Sequence, residues 1–153
     1  MEFNRITIDA QHYIYVEREC DYGPEIAEAM GSAFAEVFGF LGANSITPLS
    51  MPMSVYPGMD PEKLRFRGGV IVSAEDAAKA SGNIMADTLP SGDVMTTTHV
   101  GSYNNMNLTH GAMWKYMEEN NISGDMPVWE IYVDDPGQVP EEEVRTDIYR
   151  PIA

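Results

Sequence analysis

The strongest constraint on the fold is an order of predicted elements, strand, helix, strand, strand, that occurs twice along the chain. The first copy is predicted at residues 12–18, from Pro24, and at 51–57 and 64–72. The second copy is predicted at residues 93–100, 104–120, 126–133 and 143–152. Strands and helices that alternate in this way are typical of a layered fold in which helices cover one face of a sheet.

The first strand and the first helix are both amphipathic. Alternation along HYIYVER puts Tyr13, Tyr15 and Glu17 on one face of the strand, with the aliphatic residues between them on the other. Pro24 suits the first position of a helix, where its missing N–H is not needed. At about 100° per residue, the apolar residues that follow form one arc, with glutamates opposite. The helix is therefore expected to cover an apolar sheet face.

Neither copy has enough strands to close a core by itself. We therefore expect residues 1–78 and 90–153 to pair into one sheet about a pseudo-two-fold axis, with a cleft between them. The segment ASGNIMADTLPSG at 80–92 would be the linker, and GMDPEK at 58–63 a hairpin connection. The whole chain, 1–153, would then be a single domain.

Charge and composition limit the classes of molecule that the chain is expected to bind. The chain has 24 acidic and 9 basic side chains, a formal charge of −15, which disfavours nucleic acid and favours neutral or cationic small molecules. Cys20 has no second cysteine to pair with, and the sequence starts without the pattern of a secretory signal. Apolar stretches are interrupted by charge, as at Glu36, so we expect no membrane-spanning helix. A cytoplasmic location is the resulting expectation.

The signatures of common cofactor and metal sites do not occur in the sequence. It has no glycine-rich phosphate loop, HExxH, CxxC or GxSxG motif, and His12, His99 and His110 are widely separated. We expect His12 and His110 to be structural, hydrogen-bonded residues. The sequence therefore predicts neither a metal site nor a cofactor.

Glu130 is the most unusual single residue, because it interrupts the apolar run PVWEIYV. The period of a strand places Glu130 and Tyr132 on one face and Trp129 on the other. A buried carboxylate is costly unless it is paired, so Glu130 could line a pocket and wait for a cation. The alternative is an ordinary solvent-facing glutamate on a one-sided antiparallel strand.

The segment His99-Val100-Gly101-Ser102-Tyr103 joins the second-half strand to its helix. Gly101 suits a turn that a side chain would hinder, and Ser102 or Asn104 can cap the helix. These roles explain much of the segment by architecture alone. Tyr103, however, would lie at the start of the helix, where a phenol can reach a cleft and hydrogen-bond a ligand.

These motifs together resemble the GyrI-like small-molecule-binding family, which includes stand-alone proteins and the effector-binding domains of AraC-type and MerR-type regulators. The resemblance rests on HVGSY at 99–103, a helix with Trp114 and Tyr116, PVWEIYVDDP at 127–136 and EVRTDIYRP at 143–151. It implies an α+β fold of duplicated β-α-β-β units, forming an eight-stranded antiparallel sheet with two helices on one side and a central ligand cleft. Ser102 departs from the proline common in the family.

The resemblance also implies a function. Glu130 would lie at the floor of an aromatic cleft that attracts small hydrophobic cations or aromatic compounds, for multidrug-type sensing or sequestration. The expected ligand-binding residues are Glu130, Tyr103, Tyr132, Trp114, Tyr13 and Tyr56. The first alternative is a hydrolase of electrophilic small molecules such as cyclopropanoids, with Glu130 as the catalytic residue. The second is a gyrase-inhibitor-like module that binds a protein partner.

Overall fold

The computed structural model describes residues 2–58 and 60–153, and over these residues the chain forms one sheet with helices against it. Met1 and Met59, the latter in the hairpin connection predicted at 58–63, lie outside the described residues. The helices are α1 (Glu25–Ala43), the short α2 (Ala74–Ala77) and α3 (Met106–Glu119). The strands are β1 (Asn4–Ile8), β2 (Gln11–Asp21), β3 (Met53–Tyr56), β4 (Lys63–Ile71), β5 (Met85–Leu89), β6 (Gly92–Val100), β7 (Val128–Tyr132) and β8 (Arg145–Pro151).

The eight strands form one antiparallel sheet in the order β1-β6-β8-β7-β3-β4-β2-β5. The α+β class and the eight-stranded sheet are therefore confirmed. This order is symmetric. The strands β1 to β4 of the first half correspond to β5 to β8 of the second half, and exchanging each strand for its counterpart gives the same order read in reverse. The halves meet at β3 and β7, where Ser54 lies opposite Glu130.

Two of these strands are absent from the predicted repeat, and both cross to the other half. β1 precedes the first predicted strand and pairs with β6, whereas β5 pairs with β2. The prediction of a linker at 80–92 is wrong, since β5 lies within it. Each half therefore contributes the edge strand that extends the sheet of the other.

The sheet is strongly curled, because its two edges are joined by very short connections. Only Pro90 and Ser91 separate β5 from β6, although these strands lie near opposite edges of the sheet. Two residues of chain span roughly 10 Å at most, so the edges must come close together. The inner face of the curl holds a buried core to which all eight strands contribute. Its fully buried members are Tyr13, Tyr15, Met53, Val55, Ile71, Leu89, Val94 and Trp129.

The two long helices cover the outer face, as predicted. Helix α1 packs on β2 and β4, where Gly68 allows close approach, since a Cβ there would lie 2.8 Å from the Cβ of Ala33. Met113 and Met117 of α3 pack on Met95 of β6 and on β8. Strands β3 and β7 lie at the centre of the sheet, between the regions covered by the two helices.

Helix α1 corrects one expectation of the sequence analysis. It has 19 residues and is long and apolar enough to cross a membrane by length and composition, although Glu36 interrupts its apolar run. In the fold, its buried residues Ala33, Val37 and Leu41 face the sheet. Arg18 of β2 pairs with Glu36 at 2.7 Å. The apolar face of α1 is thus accounted for by packing within the chain.

Candidate functional site

Glu130 lies in the middle of β7 on the outer face of the sheet, and only 5% of its surface is exposed. One carboxylate oxygen, Oε1, accepts hydrogen bonds from the hydroxyls of Tyr132 at 2.8 Å and Tyr56 at 3.1 Å. The other, Oε2, accepts one from Nε2 of His110 at 2.6 Å. A buried carboxylate is thus held by three donors, and we call these four residues the Glu130 cluster.

Strand register brings the cluster together. Tyr132 follows Glu130 by two residues and therefore lies on the same face of β7. Tyr56 comes from β3, the strand paired with β7 at the centre of the sheet. His110 comes from the second turn of α3, whose buried side faces the sheet. The cluster thus joins the two halves of the chain at their common axis.

The phenols of the cluster remain neutral donors well beyond physiological pH. Burial, followed by the negative charge of Glu130, holds the pKa of both Tyr56 and Tyr132 well above its usual value near 10. Their O–H groups can therefore keep donating to the carboxylate. Together with the N–H of His110, they give both carboxylate oxygens of Glu130 a hydrogen-bond donor.

Apolar and aromatic side chains surround the cluster. The ring of Phe34 on α1 meets that of Tyr132 edge-on at 6.0 Å, and the ring of Tyr103 does so at 5.6 Å. Met30 of α1 places its Sδ 3.8 Å from the Tyr132 hydroxyl. Tyr103 is 43% exposed. It therefore forms the solvent side of an otherwise enclosed aromatic wall.

The turn before α3 positions Tyr103. Gly101 adopts a φ of +122°, which a residue with a side chain rarely adopts. The Ser102 hydroxyl then accepts a hydrogen bond from the backbone N–H of Asn104 at 3.1 Å. Both roles agree with those expected from the sequence, and Ser102 works as a cap where the family commonly has proline. The chain reverses here, and Tyr103 is directed towards Tyr132.

The structure brings together four of the six predicted ligand-binding residues: Glu130, Tyr132, Tyr56 and Tyr103. Tyr13 is not among them, because it lies on the inner face of the curl, where its hydroxyl accepts a hydrogen bond from Arg67 at 2.9 Å. Trp114 is also elsewhere, since it packs one turn beyond His110 against Arg150.

Sequence reasoning missed His110, Phe34 and Met30 as members of the site. Met30 and Phe34 belong to the apolar arc predicted for the first helix, so the signal available for them was their position on its sheet-facing side. His110 does hydrogen-bond, as expected of a structural histidine, but its partner is the carboxylate of interest. His99, by contrast, is buried and bonds Thr109 and the carbonyl of Ser102.

Two cavities lie close to, but outside, the Glu130 cluster. One of about 220 Å³ is lined by Tyr103, Gly101 and Pro136, so it adjoins the exposed end of the aromatic wall. The other, of about 470 Å³, is lined by Trp114 and Arg150. Within 2–58 and 60–153, no group of three or more His, Cys, Asp or Glu side chains is arranged to hold a metal ion.

Comparison with known proteins gives one match by sequence. The model of the GyrI-like family, described as a GyrI-like small molecule binding domain, matches residues 1–153. None of the curated proteins matches this sequence.

Solved structures share the fold at low sequence identity. A complex of EcmrR with DNA matches with a TM-score of 0.83 and 14% identity, over 99% of this chain and 57% of that one. A structure of SAV2435 bound to tetraphenylphosphonium matches with a TM-score of 0.67 and 14% identity, over 100% and 94%. A hydrolase from Listeria innocua matches with a TM-score of 0.64 and 17% identity, over 99% and 92%.

Proposed function

Because this chain belongs to the GyrI-like small molecule binding domain family, we propose that its ligands are small apolar cations and that they bind at the Glu130 cluster, for sensing or sequestration. One observation carries the proposal. A carboxylate that is 5% exposed lies under aromatic side chains at the axis that relates the two halves of the sheet.

The cluster has the physical properties that favour such a ligand. Coulomb attraction is much stronger in a partly desolvated site than in water, so Glu130 would favour a cation over a neutral molecule of the same shape. The faces of Tyr103, Tyr132 and Phe34 add apolar surface and attract positive charge through their ring quadrupoles. The chain's charge of −15 favours the approach of cations from solution.

Binding at this site requires two rearrangements, one of His110 and one of Tyr103. His110 Nε2 occupies the side of Oε2 that faces α3, so a ligand cation would take the place of the imidazole N–H. Tyr103, the most exposed of the aromatic residues, would move to admit the ligand. The solved structure of SAV2435 with tetraphenylphosphonium, which has the same fold, supports a bulky aromatic cation as the first probe.

The experiment compares tetraphenylphosphonium with the neutral triphenylphosphine oxide by isothermal titration calorimetry. Glu130→Gln keeps the shape and removes the charge, so we expect it to weaken cation binding by roughly 5- to 150-fold and to change neutral binding little. Glu119→Gln, an exposed glutamate on α3, is the matched control and should change neither. Equal affinity of wild type and Glu130→Gln for the cation would exclude the proposal.

A second candidate function is hydrolysis of an electrophilic small molecule. It is favoured by the 2.6 Å contact between His110 and Glu130, because a paired carboxylate and imidazole can take a proton from water. The hydroxyls of Tyr56 and Tyr132 could stabilise developing negative charge. Incubation with an activated cyclopropane, followed by mass spectrometry, tests this: wild type should add one water, and Glu130→Gln should not. A product at equal yield from both proteins would exclude Glu130 as the catalytic residue.

A further inference from the structure

Arg150 differs from the other basic side chains of this acidic protein in having no ion pair among the described residues. Of the 9 lysines and arginines, all but Arg150 have a carboxylate oxygen within 4.0 Å among the described residues. With 24 acidic side chains in the sequence, partners are plentiful, so an unpaired arginine needs a local explanation.

The guanidinium group of Arg150 lies close to Trp114 and Gly124. Its central carbon lies 4.2 Å from the centre of the Trp114 ring. A Cβ at Gly124 would collide with Nε of Arg150, so glycine at this position lets the guanidinium group lie close to the backbone. Nε is buried and has no hydrogen-bond partner among the described residues. The contact with the Trp114 ring does not use the N–H donors of the guanidinium group.

The cavity of about 470 Å³ at the end of α3 is lined by Arg150, Trp114 and Gly124. Met117 and Ile122 provide apolar walls, and Ser123 adds a polar group at the margin. A volume of this size is within the range of small-molecule sites. Burial lowers the pKa of Arg150, and the charge of Asp125 opposes this shift in part.

We propose that this cavity is a second binding site, separate from the Glu130 cluster, for a small organic carboxylate with an apolar body. The planar guanidinium offers a fork of N–H donors that matches a carboxylate, while Trp114, Met117 and Ile122 contact the apolar part. Glu118 also lines the cavity, and the chain's charge is −15. These negative charges disfavour polyanions, so the ligand carries a single carboxylate.

The test uses 4-phenylbutyrate and its uncharged amide, 4-phenylbutyramide, with wild-type protein. We expect the carboxylate to bind more tightly than the amide by calorimetry, and to protect Trp114 from quenching by acrylamide. Arg150→Gln should lower carboxylate affinity about tenfold or more and leave amide affinity nearly unchanged. Arg145→Gln, on the same strand but paired with Asp134, is the matched control. Retained binding of tetraphenylphosphonium by Arg150→Gln would show that the variant is folded.

Glu118→Gln gives a test that leaves Arg150 intact. Glu118 is exposed, so folding should not suffer, and removing its negative charge should strengthen carboxylate binding a few-fold. The proposal is overturned if wild type does not distinguish the carboxylate from the amide, if neither binds, or if Glu118→Gln weakens carboxylate binding.

Discussion

At the scale of single residues, His110 has two opposed effects on the Glu130 cluster. Its N–H satisfies Oε2 of a buried carboxylate, which would otherwise lack a donor there. Under the proposed function, the same hydrogen bond occupies the position that a cationic ligand would take. We therefore expect His110 to stabilise the ligand-free protein and to lower its affinity for cations.

His110→Ala is thus expected to increase the affinity for tetraphenylphosphonium. In this variant the ligand does not have to displace the hydrogen bond between His110 and Glu130. We therefore expect the affinity to increase by about tenfold or more. Lys115→Ala, 77% exposed on the same helix, is the control and should have little effect. Calorimetry with both variants decides the matter, and a weaker complex with His110→Ala would mean that the imidazole is part of the ligand-binding wall.

The sequence alone predicts that Glu130 and Tyr132 lie together, because the alternation of side chains along a strand is a local property. Alternation alone puts Glu130 with Tyr132 and separates both from Trp129. It also puts Tyr13 with Tyr15 on one face of β2, as the structure has them. Alternation does not reveal which of the two faces lies inside the curl, so it could not show that Tyr13 lies on the face opposite Glu130. His110 and Trp114 lie one turn apart on the same helix, and only tertiary packing directs them to different partners.

At the scale of elements, the predictions succeed for long amphipathic elements and fail for short edge strands. Periodicity indicates β2 and α1, and the bounds predicted for β4 and β6 differ from the observed ones by no more than one residue. β1 and β5 have only five residues each, and most of these are exposed. Their hydrogen-bond partners lie in the other half of the chain, so no local pattern indicates them. Only the family resemblance gave the correct total of eight strands.

Two glycines allow the packing of these elements to be tested. A Cβ at Gly69 of β4 would collide with the backbone carbonyl of Ile14 on β2, which cannot move without disrupting the pairing. Gly69→Ala should therefore lower the free energy of unfolding by about 2 kcal/mol or more.

Gly111 is the matched control for Gly69. It is exposed in the middle of α3, and a Cβ there meets nothing within 4 Å. Gly111→Ala should raise the free energy of unfolding by about 0.5 to 1 kcal/mol. Urea denaturation of both variants measures the two shifts, and the same sign for both would contradict the packing described for β4.

At the scale of the whole molecule, stability depends on tyrosines that are buried on both faces of the sheet. Burial raises the pKa of Tyr13 from 10.0 to about 12. Between these values the unfolded chain has released the proton and the folded chain still holds it. Stability is therefore complete below pH 10 and decreases as the pH rises towards 12, by on the order of 2 kcal/mol from this residue.

Urea midpoints measured from pH 8 to pH 12 should show this decrease. Tyr13→Phe removes one titrating phenol, so its midpoint should decrease less steeply than that of wild type across the same range. Parallel curves for the two proteins would show that Tyr13 titrates alike in the folded and unfolded states. The remaining slope of the variant is expected to come from other buried phenols, including Tyr56 and Tyr132.

The exchange of β1 and β5 has a consequence for a chain that has been cut. The segment between α2 and β5 carries the exposed residues Ser81, Gly82 and Asn83, a natural target for a protease. A nick there would leave β1 on one fragment and β5 on the other, each hydrogen-bonded to a strand of its counterpart. The two fragments would remain joined by the pairings of β1 with β6 and of β5 with β2, in addition to the pairing of β3 with β7. The nicked protein would still elute as a single species in gel filtration under native conditions.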